Sequence, residues 1–273
     1  MGLLGPNGAG KSTLMRIMFG ILDPVGGDTM WQGRPADLEA RIRWGYMPQE
    51  RGLYPAMPVG EQLMYFARLH GFDRAAAQRS ARMLLDELGL ADRWADRPDT
   101  LSGGMQQRLQ LAVALVHNPE VIVLDEPFAG LDPVAVAELS ATLMQRVRTG
   151  CTVLFSSHQL DLVQHLCEDI VMLHHGRIAL QGSVAQLRAG EGTRQLRISI
   201  SGASPDWFHG ITGVVGSDRN GEEFRLELLP GVEPLDVLDH ARAAGQVVDF
   251  GLELPTLSQL FLEATHEQPE ALR

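Results

Sequence analysis

The sequence predicts an α/β domain followed by a smaller α+β domain, and three observations carry that prediction. Helical and strand-like hydrophobic periods alternate up to about residue 189. A glycine-rich loop, Gly5 to Ser12, opens directly into a helical period. The apolar run Val121-Ile122-Val123-Leu124 has the continuous character of a buried parallel strand and ends in two carboxylates, Asp125 and Glu126.

Taken in order, Leu14, Ile17, Met18 and Ile21 give helical spacing, and Asp23-Pro24 stops that helix. Ile42 to Met47 reads as a short strand, and residues 59–70 and 74–88 read as helices. Ala77, Ala81, Leu84, Leu85 and Leu88 share one face of the second. A further helix spans about 104–117 and ends before Asn118-Pro119. A helix near 133–149, a strand at 152–156 and a helix at 159–167 follow the buried strand. His174-His175 lead into a turn at Gly176. Residues 190–193 read as a linker between a first domain, 1–189, and a second, 194–273. In the second, Leu196-Ile198-Ile200 and Phe224-Leu226-Leu228 alternate, with a turn expected at Asp218 to Gly221. A helix near 234–244, a strand near 246–253 and a helix near 256–265 complete it.

Composition narrows the functional classes. Hydrophobic residues at 45% and charged residues at 21% are ordinary for a globular protein. A formal net charge of −11 argues against a broad grip on nucleic acid, which needs clustered Lys and Arg. Cys151 and Cys167 have neither metal-ligand spacing nor a disulfide framework, and read as small apolar residues in a reducing cytosol. The opening residues lack the pattern of a signal peptide. No run approaches the roughly 18 apolar residues of a membrane helix; Leu109 to Val116 is short and contains Gln110. If the protein serves a membrane, another chain spans it.

The chemistry sits in two motifs. Gly5-Pro6-Asn7-Gly8-Ala9-Gly10-Lys11-Ser12 matches G-x-x-x-x-G-K-[ST], with Thr13 next in the helix. Its glycines let backbone N–H groups turn inward around phosphate oxygens, and the helix that follows directs its positive end at them. Lys11 can reach the β- and γ-phosphates, and the Ser12 hydroxyl can ligate Mg²⁺. Asp125 and Glu126 are adjacent on a strand, so they point to opposite faces and cannot share a job. Asp125 is the candidate to hold Mg²⁺ and Glu126 to polarise the attacking water, the plainer alternative being two solvated acids.

Leu101-Ser102-Gly103-Gly104-Met105-Gln106-Gln107 resembles the signature of the ATP-binding cassette (ABC) proteins. The resemblance implies a P-loop NTPase core of the ABC ATPase type, with a helical subdomain. It also implies that Ser102, Gly103 and Gly104 contact the γ-phosphate held by an opposing subunit, so that ATP closes a head-to-tail dimer. Gln49, in Tyr46-Met47-Pro48-Gln49, resembles the Q-loop glutamine that senses Mg²⁺ and water and faces the membrane partner. Asp132, in Gly130-Leu131-Asp132, resembles the D-loop aspartate, and His158, after Ser156-Ser157, the switch histidine. Each alone has a plainer reading: a loop amide, a helix cap before Pro133, and a satisfied strand-end histidine.

The resemblance covers residues 1–189, and the tail is similar to the small C-terminal domain of some bacterial exporter ATPases, with a regulatory or dimer-stabilising role implied. The family places a complete core strand and an adenine-stacking aromatic upstream of the phosphate loop, whereas here Met1 to Leu4 alone precede it. The intact downstream motifs favour an N-terminally shortened cassette over a degenerate one, with a misplaced start as a further explanation. A version extended at its N-terminus is expected to bind ATP more tightly.

The function implied is an ATPase subunit using ATP and Mg²⁺. It would be cytoplasmic, peripheral on the inner face of the cell membrane through a separate permease, and engaged in export. Its second ATPase subunit is either identical or different. The alternative is a soluble ABC ATPase of DNA maintenance or translation. The short stretch between Gln49 and Ser102, without sustained heptads, and the single phosphate loop count against it.

Overall fold

The structure, a computed structural model, describes residues 1–50, 52–189 and 194–266. The chain divides into two compact units, Met1–Gln181 and Gly182–Arg273. The linker expected at 190–193 lies outside the described residues.

The first unit begins with β1 (Gly2–Leu4), α1 (Lys11–Met18), the short strands β2 (Met30–Trp31) and β3 (Arg34–Pro35), α2 (Leu38–Ile42) and β4 (Trp44–Met47). Helices α3 (Val59–Leu69), α4 (Arg74–Glu87) and α5 (Gly103–Leu115) form the insert between β4 and β5 (Val121–Leu124). Then come α6 (Pro133–Arg148), β6 (Thr152–Ser157), α7 (Leu160–Leu166), β7 (Asp169–His174) and β8 (Arg177–Ser183). Among the described residues the main sheet has the order β4-β5-β6-β1-β7-β8. The pairs β4–β5, β5–β6, β6–β1 and β1–β7 are parallel.

A parallel sheet is covered on its faces, so its strands are apolar throughout. All four residues of β5 are buried. Leu3, Val121, Val123 and Leu173 pack with Ala9 and Met15, which seats α1 on the sheet. Ligands in such sheets bind beyond the carboxyl ends of the strands. Here those ends deliver the loops starting at Gly5, Pro48, Asp125 and His158 to one edge of the unit.

Boundaries moved where local chemistry was missed. The strand expected from Ile42 starts at Trp44, because Asp37 caps α2: its Oδ1 accepts from Ala40 N at 2.8 Å. Helix α1 stops at Met18 rather than near Ile21, where Gly20 N turns back to Ile17 O at 2.9 Å. The pair β7–β8 and helix α8 (Val184–Arg188) were not anticipated.

The second unit contains α8, β9 (Arg194–Ser201), β10 (Val214–Asn220), β11 (Glu223–Leu228), α9 (Pro234–Ala244), β12 (Gln246–Glu253) and α10 (Leu257–His266). Its sheet has the order β10-β11-β9-β12, antiparallel throughout. Leu196, Ile198, Ile200, Phe224, Leu226 and Leu228 form the core with Val237 and Ala241 of α9, as period-2 alternation requires. The turn expected at Asp218 to Gly221 is tighter. Asn220 pairs with Glu223, which leaves Gly221 and Glu222 as the loop.

Candidate nucleotide site

The glycine-rich loop joins β1 to α1, and its first glycine is required by its surroundings. Gly5 has φ of 146°, and a Cβ there would stand 2.3 Å from Leu173 O on β7. The loop, α1, Gln49 and the end of β5 surround a cavity of about 280 Å³. Its lining is Asn7, Gly8, Ala9, Gly10, Lys11, Ser12, Thr13, Gln49, Asp125 and Glu126.

Lys11 is buried at 7% exposure and does not stand unpaired. Its Nζ donates to Gly5 O at 2.7 Å and Pro6 O at 3.2 Å, and lies 3.7 Å from Glu126 Oε1. The other carboxylate oxygen of Glu126, Oε2, is 2.9 Å from His158 Nδ1. The carboxylate is thus bracketed by the lysine of the loop and the histidine after β6.

Glu126 also carries backbone strain, with φ of 52° in a residue that has a Cβ. Such outliers persist only where neighbours hold them. Here Glu126 N donates to Ser156 Oγ at 2.8 Å, and Ser156 Oγ donates to Asp125 Oδ1 at 2.6 Å. One buried hydroxyl of β6 therefore fixes both acids at the end of β5. Burial, and after it the neighbouring Asp125, raise the pKa of the Tyr46 phenol, while Arg16 acts against them.

Asp125, the Ser12 hydroxyl and the Gln49 amide all line the cavity and offer oxygen donors, the set that suits a hard cation such as Mg²⁺. Among the described residues no group of three or more His, Cys, Asp or Glu could hold a metal by itself.

The structure does not bring every predicted residue into this cavity. Ser102, Gly103, Gly104 and Asp132 are absent from its described lining. Ser102 caps α5, its Oγ accepting from Met105 N at 3.3 Å, and both Ser102 and Gly103 are exposed. Asp132 is exposed and caps α6, its Oδ1 accepting from Ala135 N at 2.9 Å. Ser102 and Asp132 thus place the N-termini of α5 and α6 at the surface, outside the described lining of the cavity.

Two further residues hold the site without a role expected from the sequence: Ser156, a small hydroxyl at the buried end of β6 just before His158, and Gln107, whose Nε2 donates to Pro127 O at 2.9 Å.

A phosphate loop between a core strand and a helix, with acids at the end of a parallel strand, defines a P-loop nucleotide-binding protein. Residues 1–129 match the ABC transporter family model, and residues 182–265 match that of the DrrA1-3-like ATP-binding protein C-terminal domain. The chain is 34% identical over 262 residues to the uncharacterized ABC transporter ATP-binding protein YhaQ of Bacillus subtilis, covering 96% of this chain and 88% of that protein. It is 35% identical over 233 residues to the linearmycin resistance ATP-binding protein LnrL of Bacillus subtilis, covering 83% of this chain and 75% of that one. Among solved structures, CbiO1 of Clostridium perfringens, part of the ABC transporter complex CbiONQ, superposes with a TM-score of 0.62 at 29% identity, covering 69% of this chain and 78% of that chain. The chain belongs to the ABC transporter ATP-binding protein family.

Proposed function

We propose that the chain hydrolyses ATP between two copies of itself and thereby drives export through a separate membrane permease. The observation that carries this reading is the Glu126 carboxylate, bracketed by Lys11 and His158 at the mouth of the phosphate loop. In this arrangement the loop amides of Gly5 to Thr13 cradle the phosphates. Lys11 exchanges its carbonyl partners for β- and γ-phosphate oxygens. Ser12 and Asp125, with Gln49 through its amide oxygen, would hold Mg²⁺. The ion would neutralise charge building up between the β- and γ-phosphates. Released from Lys11, Glu126 orients and polarises the attacking water. His158 holds that carboxylate on one side and can donate to the γ-phosphate. The exposed N-terminus of α5 at Ser102, Gly103 and Gly104 closes on the γ-phosphate of the second copy, with Asp132 crossing beside it.

No helix among the described residues is long and apolar enough to cross a membrane, so the reading assigns the membrane path to another chain, with this one on its inner face. Tyr54, half exposed, stacks on Phe66 at 6.0 Å and meets Tyr65 edge-on at 6.1 Å. This aromatic group follows the Gln49 loop and supplies an amphipathic surface for the permease's cytoplasmic helices. The relative named for linearmycin resistance favours the outward direction. A soluble role in DNA maintenance or translation has no comparable support. Regulation or dimer stabilisation is the role proposed for the second unit.

The test is Glu126→Gln. Hydrolysis should fall by about a hundredfold or more, with ATP binding retained, because the carboxamide keeps shape and loses the negative charge. ATP turnover unchanged in this variant would exclude the reading.

A further inference from the structure

Helix α5 carries Gln107 and Gln110 three residues apart, on one face. Each donates its carboxamide to a loop that frames the cavity. Gln107 holds Pro127 O, one residue beyond Glu126. Gln110 Nε2 donates to Pro48 O at 2.6 Å and to Glu50 O at 3.1 Å, so one amide group brackets Gln49 from both sides. Both partners are carbonyls, which fixes the amide with its nitrogen toward the loop.

Gln110 is 3% exposed, among the buried Leu109, Leu111 and Ala112. A carboxamide in such a place carries a desolvation cost that an apolar side chain would avoid. Its Oε1 has no hydrogen-bond partner among the described residues, so the cost is incompletely offset. The helix has little freedom to shift and relieve it. A Cβ on Gly45 of β4 would stand 2.1 Å from Ala114 O of α5, so strand and helix are in close contact one turn further along. Gln110 extends that contact from the strand into the loop that the strand delivers.

We propose that Gln110 is a positioning residue for Gln49. Its carboxamide, by holding Pro48 O and Glu50 O, sets where Gln49 stands relative to Ser12 and Asp125, and ties that placement to the helix beginning at Ser102 to Gly104. The proposal rests on the nucleotide-hydrolysing reading above. A displacement of Gln49 toward bound phosphate carries α5 and its exposed N-terminus with it, and docking of that N-terminus on a second copy acts back on Gln49, since such linkage is reciprocal.

The experiment measures steady-state ATPase kinetics of the full chain in Gln110→Met, which keeps length and packing but removes both donors. The turnover number should fall by about tenfold to a hundredfold, with KM for ATP within about threefold, because the phosphate loop is untouched. In the Gln49→Ala background, Gln110→Met should cause no further loss, since both changes remove one function. Additive losses in the double variant, or a raised KM with unchanged turnover number, overturn the proposal. Gln110→Leu is the second packing-preserving variant, and failure of both to fold overturns the proposal in favour of a purely structural role. Loss of turnover in Glu126→Gln alongside parent-like turnover in Gln110→Met overturns this inference alone, whereas turnover that survives Glu126→Gln overturns both readings.

Discussion

At the scale of single residues, the site depends on one hydroxyl. Ser156 Oγ accepts from the strained Glu126 backbone and donates to Asp125, so it fixes both acids at once. Ser156→Ala leaves a buried N–H without an acceptor, which costs about 1–3 kcal/mol. Urea unfolding should show a loss of that size, and turnover should fall because Glu126 is no longer held at φ of 52°. Stability and turnover matching the parent would mean that Ser156 does not hold the acids. Lys11, Asp125 and Glu126 were readable from sequence because their residue types and spacing have few other uses. Ser156 was not, because a serine at a strand end is common, and only the fold places β6 between β5 and β1.

At the scale of elements, the helical insert is fastened to the sheet by a pair of histidines. His70, the C-cap of α3, stacks on His117 beyond the end of α5, ring centroids 3.6 Å apart. His70 Nδ1 lies 2.9 Å from Ile42 O, and His117 Nε2 lies 3.1 Å from Trp44 O. Burial, and then the neighbouring His70, lower the His117 pKa to about 4. The unfolded imidazole takes a proton below its usual value of about 6.5, while the folded one does not until about 4. Over that window the unfolded state binds more protons, so this histidine makes stability fall as pH falls. Melting temperature should therefore drop from pH 7 toward pH 4.5, and His117→Phe should flatten that drop. An equal slope in the variant would place the sensitivity elsewhere. The insert's helices were legible as periods, but the stack depends on contacts between residues distant in sequence. The β7 strand had a readable signal: Ile170-Val171-Met172-Leu173 is the same kind of apolar run as Val121 to Leu124. Helix α2 also had a local signal, the Asp37 cap, but its five residues are too few to show a helical period.

At the scale of the whole molecule, the chain holds two compact units, and the function proposed above has the site of the first completed by a second copy. Hydrophobic alternation predicts a second domain after a glycine-rich linker at 190–193, residues that lie outside the described ones, and the compact units of the chain are Met1–Gln181 and Gly182–Arg273. Helix α8 belongs to the second unit because Arg188 Nε donates to Pro255 O at 2.9 Å, a tertiary contact without a local signal. The loop and the two acids line one cavity, with His158 against Glu126, while Ser102 to Gly104 lie outside its described lining and Ser102 and Gly103 are exposed. That separation is the physical reason to expect a composite site between two copies. Two inactive variants measure it directly: Lys11→Ala, with a failed phosphate loop, and Ser102→Glu, which sets a negative charge where phosphate should dock. Neither should hydrolyse ATP alone. A mixture forms pairs in which the intact loop of the Ser102→Glu chain meets the intact α5 terminus of the Lys11→Ala chain, so turnover should return on mixing. A mixture as inactive as its separate parts would contradict the shared site.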